Sequence, residues 1–196
     1  MKLEVPTFLR LTEKAHSLLF VDLEATGLRG DYNSVLCVSM RPYGEKSITS
    51  QVEKPGNDKK CIAETIEIMN DFDAWVTYYG KGFDIPMINT RAMRWGLKPL
   101  CKKPHIDMYY SLKSNLLTAR RSQGHLLDWL RIEANDTTEE SEKFVKKMSV
   151  SADEWNHVLS YPHKAMPIMV KRCESDTYGL MNLYERTKHV LRDIKA

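Results

Sequence analysis

No two cysteines of this chain are spaced C-x-x-C: Cys37, Cys61, Cys101 and Cys173 stand far apart. That spacing excludes a zinc knuckle and a dithiol redox motif, and reads as free thiols in a reducing compartment. A long apolar run is missing too. The most hydrophobic stretch, Ser17 to Leu23, is broken by Asp22 and is far shorter than the roughly 20 residues of a membrane span. The start, MKLEVPTFLR, has no apolar signal core. An intracellular location is therefore expected, cytoplasm before nucleus, with no membrane partner. Charge of one sign is also scarce: the formal net charge is +3, compatible with a polyanionic partner but too small to argue for one. Neither an internal repeat nor a low-complexity tract occurs. What is present, 42% hydrophobic and 28% charged residues, is the composition of a globular protein. The length suits a single domain over residues 1–196.

Leu18 to Glu24 reads as a buried strand ended by Thr26 and Gly27, and Val35 to Met40 and Lys46 to Val52 as the next two strands. Lys54 to Lys60 is a loop and Ile62 to Asn70 a helix, with Ile62, Ile66 and Met69 on one side. Asp73 to Tyr79 reads as a strand. Pro86 opens a helix that Gly96 stops. After Lys98 the pattern is mainly helical: a segment from about Ser122, others over Glu139 to Met148 and Asp153 to Leu159, and a long one from about Met169 to Ile194. Residues 133–167 do not resolve into one clear element and read as a mobile insertion. Strands alternating with helices predict an α/β fold.

Three places put acids where an apolar element meets the core. In LLFVDLEATGL, Asp22 and Glu24 are two residues apart on a strand, so both leave the same face. In GKGFDIPMI, Asp84 follows a Gly-rich turn. In the last helix, Leu180, Leu183, Thr187, Leu191 and Ile194 form one stripe, and one turn back from Leu180 stands Asp176. Each acid has an ordinary explanation alone: a strand end reaching water, a helix N-terminus, or an ion pair with Lys171, Arg172 or Arg186. Together they fit a cage for hard divalent cations, which prefer carboxylate oxygen. Two such ions roughly 4 Å apart can activate water on one side of a phosphodiester and stabilise the leaving oxygen on the other.

These segments resemble the DEDD (DnaQ-like) superfamily of 3′→5′ exonucleases, which have a ribonuclease H-like fold, a central mixed sheet with flanking helices. VDLEATGL looks like the first motif, TYYGKGFDIPMI like the second and KRCESDTYGLMNLYE like the third. The F-D-I-P core of the second is similar to the uncharacterised ribonuclease H-like exonuclease domains and to family B DNA polymerase proofreading domains. The likeness runs from about Leu18 to Thr187. It implies a metal-dependent exonuclease acting on single-stranded 3′ ends, DNA favoured over RNA, with two Mg²⁺ or Mn²⁺ ions. By the same resemblance Asp22, Glu24 and Asp176 are direct metal ligands, Asp22 bridges both ions and Asp84 holds the second. Two positions depart from the pattern. Tyr79 stands where an Asn is common, and Lys171 and Arg172 stand where a His or Tyr normally orients the attacking water. Arginine stays protonated, and a lysine is a base only where its surroundings strip its proton. Lys171 and Arg172 are nonetheless candidate catalytic residues, Arg172 as a contact to the scissile phosphate. The base is open between water acidified by metal, a residue such as Tyr161 or His163 swinging in, and none.

Between Arg91 and Arg121, cations alternate with Trp95, His105, Tyr109 and Tyr110, the mixture that single-strand binding uses. Thr26, Phe83, Arg91, Tyr109, Arg120 and Arg121 are the candidate nucleic-acid contacts. His105 with Asp107 reads as structural. Two alternatives remain: a nucleic-acid-binding or scaffold domain without turnover, and a structure-specific endonuclease, which would open closed circles. The sequence shows no polymerase region, so a proofreading role is expected to act in trans with a polymerase or another replication or repair protein. Failure to raise such a polymerase's fidelity counts against that role. The oligomeric state is not legible.

Overall fold

The computed structural model describes residues 18–132, 153, 158, 160 and 162–191. Most of the insertion expected over 133–167, and the helix expected over 139–148, lie outside those residues. Five strands form one mixed sheet in the order β3-β2-β1-β4-β5. They are β1 (Leu18–Ala25), β2 (Val35–Pro42), β3 (Ile48–Gln51), β4 (Ala74–Thr77) and β5 (His105–Asp107). The first three are an antiparallel meander, and β4 and β5 add in parallel on the other side of β1. The central place of β1 explains its near-continuous apolar sequence, since a strand paired on both edges and covered on both faces has no solvent side.

Alternation along β1 divides the core. Leu19, Val21 and Leu23 pack with Ile62 and Met69 of α1 (Lys59–Asp71) and with Met87, Ile88 and Ala92 of α2 (Asp84–Arg94). Leu18 and Phe20 pack on the opposite face with Leu180, Leu183 and Tyr184 of α5 (Pro162–Thr187) and Leu126 of α4 (Gln123–Trp129). Because Asp22 and Glu24 share the face of Leu18 and Phe20, α5 lies across the strand that carries the acids. Polar links fix its position. Ser39 of β2 meets Thr177 at 2.8 Å in the interior, and Thr49 of β3 donates to Glu174 at 2.7 Å. Helix α4 comes close to α5 because position 179 is glycine: a Cβ there would stand 2.9 Å from Leu127 Cδ1.

Three expectations are corrected. The chain after Lys98 is not mainly helical at first, because His105–Asp107 pairs with β4 as an edge strand before α3 (Met108–Asn115). Three residues are too few to show a period of two. Helix α5 begins at Pro162, well before Met169, and runs through Pro167. It ends at Thr187 and passes into a 3-10 turn over Lys188–Val190, yet the stripe persists, with Leu191 still fully buried. Ile194 lies outside the described residues. No helix among those described is long and apolar enough to cross a membrane.

Candidate active site

The middle strand and the long helix bring three acids together. One carboxylate oxygen from each of Asp22, Glu24 and Asp176 lies within 4.8 Å of the others. Glu24 and Asp176 are buried and Asp22 is partly open. Asp176 is positioned by α5, and its backbone carbonyl accepts 2.7 Å from Gln123 Nε2, so α4 also holds the register of the turn that carries Asp176. Asp84 stands outside that group of three, as the first residue of α2. Its carboxyl, 4% exposed, takes a hydrogen bond from the Leu23 backbone N–H and feels the charge of Glu24. Burial pushes it up to about 7, the charges of Asp107 and Glu24 add to this, and the backbone donors oppose it. A cation beside such a group favours its ionised form.

Arg172 is that region's resident cation. Its Nε lies 2.8 Å from Glu24 Oε1 and 4.0 Å from Asp176 Oδ2. One helical turn separates Arg172 from Asp176, so both reach the same side of α5. Lys171, its neighbour, is exposed. Cys173 Sγ is 3.2 Å from the Asp22 carbonyl and 3.6 Å from Asp22 Oδ2, a contact that nothing in the sequence signalled. Tyr161 and the side chain of His163 lie outside the described residues.

The turn that delivers Asp84 is held by an acid with no catalytic signal of its own. Asp107, at the end of β5, accepts from the backbone N–H of Tyr79 at 3.0 Å, of Lys81 at 2.8 Å and of Tyr109 at 3.1 Å. It thus caps α3 and clamps the residues before Asp84 at once. Replacing Asp107 with Ala strands these donors. The expected loss is about 2 kcal/mol, or a fall in the unfolding midpoint of about 6 °C for a chain of this size, read by thermal denaturation. Within the clamped turn Tyr79 has φ 67°, the left-handed region that glycine and asparagine occupy readily and that costs other residues about 1 kcal/mol or more. This accounts for the Asn expected at that position.

His105 is half-buried, with Thr77 Oγ1 2.7 Å from its Nε2. Burial, then the charge of Lys81, push its imidazole down to about 4. Arg91, read from the sequence as a nucleic-acid contact, is placed inside the fold. Its guanidinium makes a two-pronged pair with the fully buried Asp58, at 2.8 and 2.9 Å, and donates to the Gly30 carbonyl. Asp58 also accepts from Val35 N and Trp95 Nε1. Burial pushes the Asp58 carboxyl up, but the Arg91, Trp95 and Val35 donors pull harder and hold it below its ordinary value. This lock ties the β1–β2 loop to both α1 and α2, and a lone Asp in a lysine-rich loop gave no sign of it. Thr26 likewise closes its own loop, accepting from Ser34 N at 3.0 Å. Phe83 is half-buried against the α1/α2 core, Tyr109 is half-buried, and Arg120 and Arg121 are exposed.

The cluster is all carboxylate, partly buried, and crowded with like charge, which fits hard divalent ions and opposes a soft metal. A mixed α/β sheet whose central strand and late helix converge on such a cluster defines a ribonuclease H-like protein. The chain belongs to the RNase H superfamily, whose family model matches residues 19–188. It is similar to the uncharacterised protein YprB of Bacillus subtilis (strain 168), with 28% identity over 139 residues, 68% of this chain and 31% of that relative. The chain therefore spans about a third of that relative's length. Among solved structures it resembles the family B DNA polymerase of the hyperthermophilic archaeon Pyrobaculum calidifontis. There the TM-score is 0.67 at 15% identity, over 87% of this chain and 24% of the polymerase, a likeness of fold.

Proposed function

We propose that this chain is a metal-dependent exonuclease that removes nucleotides from the 3′ end of a single strand, using two Mg²⁺ or Mn²⁺ ions. The observation that carries the reading is the meeting of the Asp22, Glu24 and Asp176 oxygens within 4.8 Å of one another. In this reading Asp22, Glu24 and Asp176 hold the ions directly, with Asp84 completing the second position. Divalent ions bound there supply acidification of the attacking water and stabilisation of the leaving 3′ oxygen. The water oxygen bonds to phosphorus and the P–O3′ bond breaks. The end nucleotide leaves as a 5′-monophosphate and the shortened strand keeps a 3′-hydroxyl. Arg172 serves the phosphate: its guanidinium, beside Glu24, would turn to a non-bridging oxygen when the acids hold ions, a geometry that suits its planar fork. Lys171, exposed beside it, adds attraction for the strand.

The same Arg172–Glu24 pair supports a second reading, a domain that binds nucleic acid without turnover, since a cation already answers the acids. One gel separates the two. Single-stranded DNA and RNA labelled at the 5′ end are incubated with the protein in Mg²⁺, Mn²⁺ or EDTA. A ladder shortening from the 3′ end with metal alone is the expected result, and it identifies the sugar preference. Binding of both strands with no shortening in either metal overturns the exonuclease reading, and cutting of closed circles moves it to an endonuclease.

A further inference from the structure

The turn before Asp84 ends in a cluster of rings that the acid site does not use. Tyr79 stands 5.1 Å from Tyr109 and 5.8 Å from Tyr110, centroid to centroid, and Tyr109 is 5.2 Å from Tyr110. Tyr78 backs Tyr109 at 6.1 Å, and its hydroxyl is bonded to the Arg121 carbonyl. Tyr109 is mostly covered, but Tyr79 and Tyr110 are 45% and 41% exposed, so an aromatic surface faces solvent. It also borders the turn that leads to Asp84. The Tyr79 ring packs on Gly82, two residues before Asp84, so closely that a Cβ at Gly82 would stand 2.6 Å from its Cζ.

Two further observations give the rings a purpose. Tyr79 holds φ 67°, where Asn or Gly would sit without strain, so the fold tolerates an unfavourable backbone to keep a ring there. Strain of this type gathers at functional sites. Two exposed cations neighbour the rings, Lys81 in the same turn and Arg121, whose carbonyl takes the Tyr78 hydroxyl, and cations beside rings suit a polyanion with flat apolar bases.

We infer that Tyr79, stiffened from behind by Tyr109 and Tyr110, is the platform on which an unpaired base near the 3′ end stacks. This rests on the reading of the substrate as a single strand and adds how the site recognises it: by the face of a base, tolerant of sequence. A duplex, whose bases are already stacked on one another, cannot use the platform.

The test is a titration in EDTA, where no cutting occurs, of single strands with 2-aminopurine at each of the last few 3′ positions. Wild-type protein should quench the emission at one position at least. Tyr79→Phe should keep the quench, whereas Tyr79→Asn should lose it and bind about 10-fold more weakly, the value of one stacked base. On a strand made abasic at that position, wild type and Tyr79→Asn should bind alike. The unfolding midpoint of Tyr79→Asn should be no lower than that of wild type, because Asn relieves the turn. Should that variant not fold, Tyr79→Gly, equally at home at this φ, takes its place. Equal quench and equal affinity in wild type and the folded ring-less variant overturn the platform. Because no metal is present, a protein that never cuts can still pass this test, and an active exonuclease can still fail it.

Discussion

With Asp22 replaced by Asn, shortening of a single strand from its 3′ end is expected to slow by about 10³-fold or more. Metal assistance contributes several kcal/mol of transition-state stabilisation, and each 1.36 kcal/mol is a factor of about 10 in rate. Asp22 is the most open of the three clustered acids and leaves β1 on the same face as Glu24, so in the proposed reading it is the acid best placed to touch both ions. Asn keeps the shape and removes the charge. The folded protein should not suffer without metal, because the substitution relieves repulsion among carboxylates. Its unfolding midpoint should equal or exceed that of wild type in EDTA and should respond less to added Mn²⁺, since a weaker ligand set gives less linked stabilisation. Stability in EDTA together with loss of cutting separates a lost ligand from a lost fold. Undiminished cutting by Asp22→Asn would show that the cluster is not the reaction centre.

Much of this was legible in the sequence, and the rest was hidden for definable reasons. The period of two in a strand placed Asp22 and Glu24 on one face, and the stripe of α5 placed Asp176 at its head. Both are local rules, and the structure obeys them. Asp58, and the partners of the Asp107 already read as structural, escaped because those partners are backbone N–H groups and a distant arginine, which leave no mark on neighbouring residues. Arg91 escaped for the reciprocal reason: in a run of cations, nothing local distinguishes the one whose charge is taken by a buried acid. Strand β4 ends at Thr77, although Tyr78 and Tyr79 have the side chains of a strand. Asp107 captures their turn, and a contact across 28 positions outweighs β-propensity. In α5 the burial stripe continued past the end of the regular helix, so periodicity overstated the helix while reporting the core correctly.

Arg172 should give two opposite responses in one variant. In Arg172→Ala the Mn²⁺ affinity is expected to rise about 10-fold, because an ion entering wild type must displace a guanidinium at 2.8 Å from Glu24 and a charge-assisted hydrogen bond is worth about 1.5 kcal/mol or more. The single-turnover rate should fall by about 10²-fold to 10³-fold, the typical cost of losing a group aimed at charge that develops on a transferring phosphate. Calorimetric titration with Mn²⁺ reads the first and rapid-quench cutting at saturating metal reads the second. Arg172→Lys should regain part of the rate but not the two-pronged geometry. A tighter metal site without loss of rate would limit Arg172 to neutralising the acids until metal arrives. A slower reaction at unchanged affinity would mean that its bond to Glu24 does not oppose the ion. If neither quantity moves, the pair beside Asp176 is a structural contact and the third motif works without its arginine. The opposition of signs carries the argument, because damage to the fold would weaken metal binding and slow the reaction together.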